Sequence, residues 1–306
     1  MHALKQAGDR ARGADLFVTL EPCSHHGRTP PCADAVIAAG IRAVWVASED
    51  PNPKVAGRGL EKLVASGIAV QTGLMRAEAQ GLNRGFFSRL TRGRPWVTLK
   101  LAASLDGRTA MASGESRWIS SAEARADVHR LRAEAGAVMT SAATVLADDP
   151  QLTVRGLGDS LRQPDRIVLD TQARVPIQAR VWTAGARRYW LLGREPAEAP
   201  GGVEWLSLTP TARGALDLSA ALTWLAAREV NEVLLECGPR LAGAFLQRQL
   251  VDEVVAYLAP SLLGHEAYPF VMLPGIERLS QQLRMQWLDV RQIGPDLRLT
   301  ARPLAQ

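Results

Sequence analysis

Two cysteines separated by eight residues lie in the segment Glu21-Pro22-Cys23-Ser24-His25-His26-Gly27-Arg28-Thr29-Pro30-Pro31-Cys32. Cys23 follows an apolar run and Cys32 opens a helical pattern. That placement suits thiolate ligation of zinc, because a helix N-terminus lowers a thiol pKa and favours the deprotonated ligand. Zinc deaminases of bases use a Pro-Cys pair of this kind, a third His or Cys ligand and a separate Glu that moves protons. The competing reading is two unpaired core cysteines beside two loop histidines. Farther on, Lys100 is the only lysine after Lys62 and sits in a strand pattern, either as an edge charge or as a group facing a ligand. Glu236 ends the apolar run Val233-Leu234-Leu235. A charge at the C-terminal edge of a sheet marks a site, against the plainer reading of a solvated strand-end carboxylate. Gly238-Pro239 then opens a helix whose free N–H groups suit an anion, since Gly allows close approach and Pro fits a first turn. Asp148 and Asp149 precede Pro150, which is expected to hold the residue before it extended.

The elements that position these groups alternate. Strands are expected over 15–20, 42–47 and 69–71, with helices over 32–39, 59–66 and 76–90, the rhythm of an α/β layer with a parallel sheet. Phe17 and Trp45 fall on buried-strand patterns. Gly93, Arg94 and Pro95 punctuate a boundary near 90–95. The pattern then restarts, with strands over 96–102, 137–141, 166–170, 188–192, 232–236, 253–258 and 297–301. Helices are expected over 122–134, capped by Ser121, and over 218–228 and 240–249.

Composition narrows the classes. Hydrophobic residues are 47% and charged residues 22% of 306, ordinary for a globular chain with room for two cores and unlike a disordered or fibrous one. No stretch approaches eighteen uninterrupted apolar residues and no signal segment opens the chain. With three cysteines, a reducing, cytoplasmic setting is expected. Residues 1–94 hold 13 Lys+Arg against 8 Asp+Glu, so the net charge of +5 belongs to that third.

Taken in order, several long motifs resemble the bifunctional deaminase/reductase family of riboflavin biosynthesis. They are Pro22 to Cys32, Asp50-Pro51-Asn52-Pro53-Lys54-Val55-Ala56-Gly57-Arg58-Gly59, Lys100-Leu101-Ala102-Ala103-Ser104-Leu105-Asp106-Gly107-Arg108-Thr109-Ala110 and Gly114-Glu115-Ser116-Arg117-Trp118-Ile119. Ala147-Asp148-Asp149-Pro150-Gln151-Leu152-Thr153-Val154-Arg155 and Glu236-Cys237-Gly238-Pro239 complete the set. The resemblance spans nearly the whole chain. It implies an α/β chain: a cytidine-deaminase-like zinc domain over 1–92, then a dihydrofolate-reductase-like, NADP-binding domain over 93–306.

In that family a His-Ala-Glu segment supplies the third zinc ligand and the proton-shuttling Glu. It lies just before the stretch matching Met1-His2-Ala3-Leu4, so the deaminase half is expected to lack those residues and the strand and helix before them. Cys23 and Cys32 remain as implied zinc ligands, with His2, His25 or His26 as substitutes for the third. In the second half the resemblance puts Lys100 and Glu236 at the chemistry. It puts Ala102, Trp118, Thr144, Asp148 and the run Gly238, Pro239, Arg240, Leu241, Ala242, Gly243 and Ala244 on NADPH. Ser116, Arg132, Leu152, Arg155 and Glu236 are implied at the substrate. Arg132 and Arg155 suit its 5′-phosphate as bidentate donors, although Arg132 also reads as an exposed helix arginine. Trp118 either stacks on the nicotinamide nucleotide or packs in a core.

The implied reaction is NADPH-dependent reduction of 5-amino-6-(5-phosphoribosylamino)uracil to 5-amino-6-(5-phosphoribitylamino)uracil. Its companion is zinc-dependent deamination of 2,5-diamino-6-hydroxy-4-(5-phosphoribosylamino)pyrimidine. A phosphoribosylated pyrimidine is the expected partner, in a homo-oligomer, with no nucleic acid and no membrane. Two alternatives stand beside this: a reductase carrying a vestigial N-terminal interaction module, and an RNA-binding protein using the basic first third. The second needs aromatics interleaved with its charges, and residues 1–94 offer only Phe17, Trp45, Phe86 and Phe87.

Overall fold

Short apolar runs alternate with helices through the first of two units, Met1–Gly93. Its elements are α1 (His2–Ala7), β1 (Asp15–Val18), α2 (Cys32–Ala38), β2 (Ala43–Val46), α3 (Arg58–Ala65), β3 (Ala69–Thr72), α4 (Arg76–Leu82) and α5 (Arg84–Arg92). The three strands pair in parallel with β2 central. Ala33, Val36, Val44, Val46 and Leu63 fill the space between sheet and helices. In this computed structural model the described residues are 1–26, 30–53, 55–158, 162–183, 185–212 and 214–304. Gly27, Arg28 and Thr29 of the cysteine loop, and Lys54, lie outside them.

Two expectations are corrected in this unit. The single helix expected over 76–90 is two, because Asn83 (φ −114°, ψ 26°) leaves helical geometry between α4 and α5. Phe17 is not buried. It lies on β1, at the edge of the sheet, is 63% exposed and stacks on Trp45 with ring centroids 5.7 Å apart.

The second unit, Arg94–Gln306, runs β4 (Trp96–Ser104), β5 (Arg108–Ala110), α6 (Ala122–Ala135), β6 (Ala137–Ser141), α7 (Ala142–Asp148) and β7 (Asp165–Asp170). It continues β8 (Arg188–Leu192), β9 (Glu204–Ser207), α8 (Leu218–Ala227), β10 (Glu232–Glu236), α9 (Pro239–Gln247), β11 (Glu253–Ala259), β12 (Tyr268–Pro269), β13 (Met285–Ile293) and β14 (Asp296–Pro303). One sheet has the order β13-β14-β11-β4-β10-β6-β7-β8-β9, while β5 and β12 form a small antiparallel ladder. Strands from β11 across to β9 are parallel, and β14 and β13 add antiparallel at one edge. The Ser121 hydroxyl accepts the Ala124 N–H at 3.1 Å and caps α6 as its sequence implies. Membrane-spanning helices are absent among the described residues: none is long and apolar enough.

Alternation along the strands divides the core between two faces. Leu99, Leu101, Met139, Ile167, Leu235 and Phe245 pack on the face covered by α8 and α9. Val138, Val168, Leu234, Val255 and Trp190 pack on the other with Val128 and Leu131 of α6. Lys100, between Leu99 and Leu101, and Glu236, two residues past Leu234, therefore share the α6 face. The strand β13 was not anticipated from sequence. Most of its side chains, among them Trp287 at 62%, are exposed, so no buried face imposes alternation on Met285–Ile293.

Candidate active site

Strands β4 and β10 set Lys100 and Glu236 opposite one another in parallel register. Because β4 lies between β10 and β11, Lys100 is not an edge charge. Glu236 is not a solvated strand end either. Arg132 of α6 grips its carboxylate with Nε at 2.6 Å and Nη2 at 2.9 Å, and donates Nη1 to the Thr153 carbonyl at 3.0 Å. Burial alone would raise the Glu236 pKa, but the charge and hydrogen bonds of Arg132, with Lys100, hold it below the usual carboxylate value. Burial lowers the Lys100 pKa; Glu236 opposes this and Arg132 adds to it. The site thus holds one carboxylate among more than one cation, suited to an anionic, hydroxyl-bearing ligand.

That geometry changes the expectation for Arg132. With its Nε and both Nη atoms committed to Glu236 and Thr153, it does not present a free fork to a phosphate. It orients Glu236 instead. Arg155 fits the phosphate better: it is exposed, and its Nη1 donates to the Gln151 side chain at 2.9 Å. Leu152 is 3% exposed and packs in the α6-side core, so its side chain is structural. His129, absent from the sequence reading, belongs here: its Nδ1 accepts the Arg155 backbone N–H at 3.1 Å. The signal was its i, i+3 spacing to Arg132 on one helix face.

A second group gathers around Trp118. The ring is 69% exposed, which removes the core alternative, and Arg125 lies over it at 4.3 Å from the centroid. Its neighbour Arg117 donates to the Asp148 carbonyl at 2.8 Å and approaches the carboxylate at 3.5 Å. Thr144, in the first turn of α7, has its N–H and hydroxyl engaged by the Ser141 side chain at 3.2 and 3.1 Å. Asp149 is not extended before Pro150. It caps α7 in the left-handed region (φ 41°, ψ 57°), where the Val145 carbonyl accepts its N–H. Its carboxylate accepts the Arg180 N–H at 2.8 Å. Ser116 is half-buried two residues before Trp118, and Ala102 lies two residues beyond Lys100 on the α6 face.

Beyond Glu236 the chain turns through Cys237 into α9. Gly238 is its N-cap, no side chain caps it, and Pro239 occupies the first turn. A Cβ on Gly238 would meet nothing within 4 Å. The uncapped N–H groups of Arg240 and Leu241 and the open space before them fit a diphosphate. Gly243, by contrast, serves packing: a Cβ there would fall 1.7 Å from the Met272 carbonyl oxygen.

In the first unit the structure brings the two cysteines together, with the Cys32 N–H donating to Cys23 Sγ at 3.4 Å. The expected lowering of the Cys32 pKa is reversed: burial, then the neighbouring Cys23, raise it. Among the described residues no group of three or more His, Cys, Asp or Glu is placed to hold a metal. Two donors do not fit zinc, which takes four ligands, at least three of them from the protein. Glu21, also unforeseen, is a buried clamp. Its carboxylate accepts the N–H groups of Asp50, Gly57 and Gly59 at 3.2, 3.0 and 2.9 Å.

Comparison with known proteins agrees with this architecture. The family model described as the RibD C-terminal domain matches residues 95–299. The riboflavin biosynthesis protein RibD of Escherichia coli K12 is 50% identical over 97% of this chain and 84% of its own length. That of Haemophilus influenzae is 41% identical over 98% and 83%. Among solved structures, Acinetobacter baumannii RibD superposes with a TM-score of 0.91 at 44% identity, covering 99% of this chain and 84% of that one. The diaminohydroxyphosphoribosylaminopyrimidine deaminase/5-amino-6-(5-phosphoribosylamino)uracil reductase of Thermotoga maritima gives 0.85 at 34%, covering 99% and 83%.

Proposed function

The chain belongs to the RibD family of riboflavin-biosynthesis enzymes, and from that premise we propose that its second unit reduces 5-amino-6-(5-phosphoribosylamino)uracil to the ribitylamino product with NADPH. The observation that carries this reading is the Lys100–Glu236–Arg132 constellation, set at adjacent parallel strands immediately before the uncapped start of α9. NADPH, when bound, supplies a hydride to C1′ of the opened ribose. The chain's own residues do the rest. The start of α9, Gly238 with the N–H groups of Arg240 and Leu241, holds the diphosphate, with Trp118, Thr144, Asp148 and Ala102 along the remaining nucleotide. Lys100 polarises or protonates the sugar oxygen, and Glu236, fixed by Arg132, accepts from its hydroxyls. Arg155 takes the 5′-phosphate, with Ser116 and the Leu152 backbone beside it. The fixed geometry of these groups places substrate against cofactor before any bond changes.

The test is direct. The purified chain, given the uracil substrate, is expected to oxidise NADPH and yield the ribitylamino compound by mass; no oxidation above the substrate-free rate refutes the reading. In the first unit the described residues place Cys23 and Cys32 together but no third ligand beside them, which does not fit a catalytic zinc. The same protein is expected to release no ammonia from the diaminopyrimidine precursor, assayed with a coupled ammonia sensor. Release at a rate comparable to NADPH oxidation would overturn that expectation and return Cys23 and Cys32 to a working centre.

A further inference from the structure

The segment 153–155 carries Arg155 but has no regular secondary structure of its own. It is tied instead to one face of α6. Arg132 donates Nη1 to the Thr153 carbonyl at 3.0 Å, and one turn earlier His129 Nδ1 accepts the Arg155 N–H at 3.1 Å. Val154 between them is 6% exposed, and its N–H and C=O are both met by the Gln163 side chain at 2.8 and 3.1 Å. Only the His129 contact depends on protonation: a ring nitrogen accepts a hydrogen bond only while it carries no proton. We propose that neutral His129 is a positioning residue for the reductase site, holding the Arg155 backbone so that the exposed guanidinium faces the substrate's phosphate, and that protonation of the ring releases this hold.

The charged groups facing the ring agree. Arg132 on α6 and Arg155 on the held segment both disfavour imidazolium, while Glu236 of β10 and the Thr153 carbonyl favour it. Burial comes first among the causes, and the net effect lowers the His129 pKa, so the ring is neutral at pH 7. The sign follows: the hold is intact above the lowered pKa and lost as pH falls through it. KM for the uracil substrate is then expected to rise on acidification beyond what the substrate's own phosphate titration produces.

This inference rests on the reductase reading, and two variants separate the two. In His129→Asn the amide oxygen replaces Nδ1 as acceptor and does not titrate. In His129→Ala the acceptor is lost. His129→Ala is expected to raise KM about tenfold at neutral pH, where wild type holds the segment and the Arg155 contact to phosphate, with the difference from wild type closing at acid pH and kcat within about twofold. His129→Asn is expected to keep KM near wild type at neutral pH and to lose the extra rise at acid pH. Without substrate, hydrogen exchange of the Arg155 amide should be faster in His129→Ala than in wild type and restored in His129→Asn. Unchanged exchange and KM in His129→Ala, or a wild-type acid profile in His129→Asn, overturns the proposal. If wild type does not turn over the uracil substrate, the reductase reading falls by itself, and the Arg155 exchange rates still decide whether His129 holds the segment.

Discussion

Lys100→Met is expected to lower kcat of the reductase by roughly 10²–10⁴-fold, the range carried by a positioned proton donor, while the protein stays folded. Folding survives because the change removes a half-buried cation from a central strand and leaves Glu236 bound by both nitrogens of the Arg132 fork. Methionine fills a similar volume. The pair also predicts a pH effect whose sign is fixed. Turnover needs the protonated amine, so activity falls as pH rises through the Lys100 pKa. Burial brings that pKa below the ordinary 10.5 and Glu236 resists the shift. Glu236→Gln removes that resistance, so the Lys100 pKa falls farther and the alkaline limb of the kcat profile moves to lower pH. It also leaves the Arg132 guanidinium without its carboxylate, so KM should rise as well. Steady-state kinetics across neutral to alkaline pH, with thermal melts of each variant, make the check. A Lys100→Met enzyme within a few-fold of wild type, or a limb that Glu236→Gln does not move, would remove Lys100 from the chemistry.

What was legible in the sequence divides by the range of the cause. β6, β8 and β10 fall at Ala137–Ser141, Arg188–Leu192 and Glu232–Glu236, where the apolar runs put them, because both faces of a parallel central strand are buried and the run is continuous. Lys100 and Glu236 could be singled out for the same reason, as charges interrupting or ending such runs. Their pairing with Arg132 could not, since it joins residues 104 apart in sequence and depends on α6 packing over the sheet. Arg132 looked free because a sequence shows a donor and not its acceptor. Asp149 shows the limit of a local rule. Proline at 150 disfavours right-handed helix in the residue before it, yet the end of α7 takes the left-handed alternative. The cysteine pair was readable as a pair, but the raised pKa of Cys32 was not: the helix start is visible in sequence, and the burial that raises the thiol is not.

Two glycines of one helix, Gly238 at the N-cap of α9 and Gly243 within it, should respond oppositely to alanine. Gly243→Ala places a methyl 1.7 Å from the Met272 carbonyl oxygen and 2.8 Å from its carbon. These are backbone atoms, so no side chain can turn away. The Met272 N–H is itself bonded to the Pro239 carbonyl at 3.0 Å, and Phe270 donates its N–H to the Gly107 carbonyl at 2.8 Å. The segment is thus fixed to the start of α9 and to the β4–β5 turn. The helix must shift, at a cost on the order of 1–3 kcal/mol or more for overpacking, and the N–H groups of Arg240 and Leu241 shift with it. Gly243→Ala is therefore expected to lower Tm by several degrees and to raise KM for NADPH together. Gly238 has an ordinary φ of −74° and open space where a Cβ would go. Gly238→Ala should leave Tm unchanged and raise KM for NADPH alone, because its methyl enters the space a diphosphate would occupy. Differential scanning fluorimetry without cofactor, beside NADPH titrations of both variants, separates the two effects. A Gly238→Ala protein that binds NADPH like wild type would move the diphosphate away from the α9 start, whatever Gly243→Ala does to the melt.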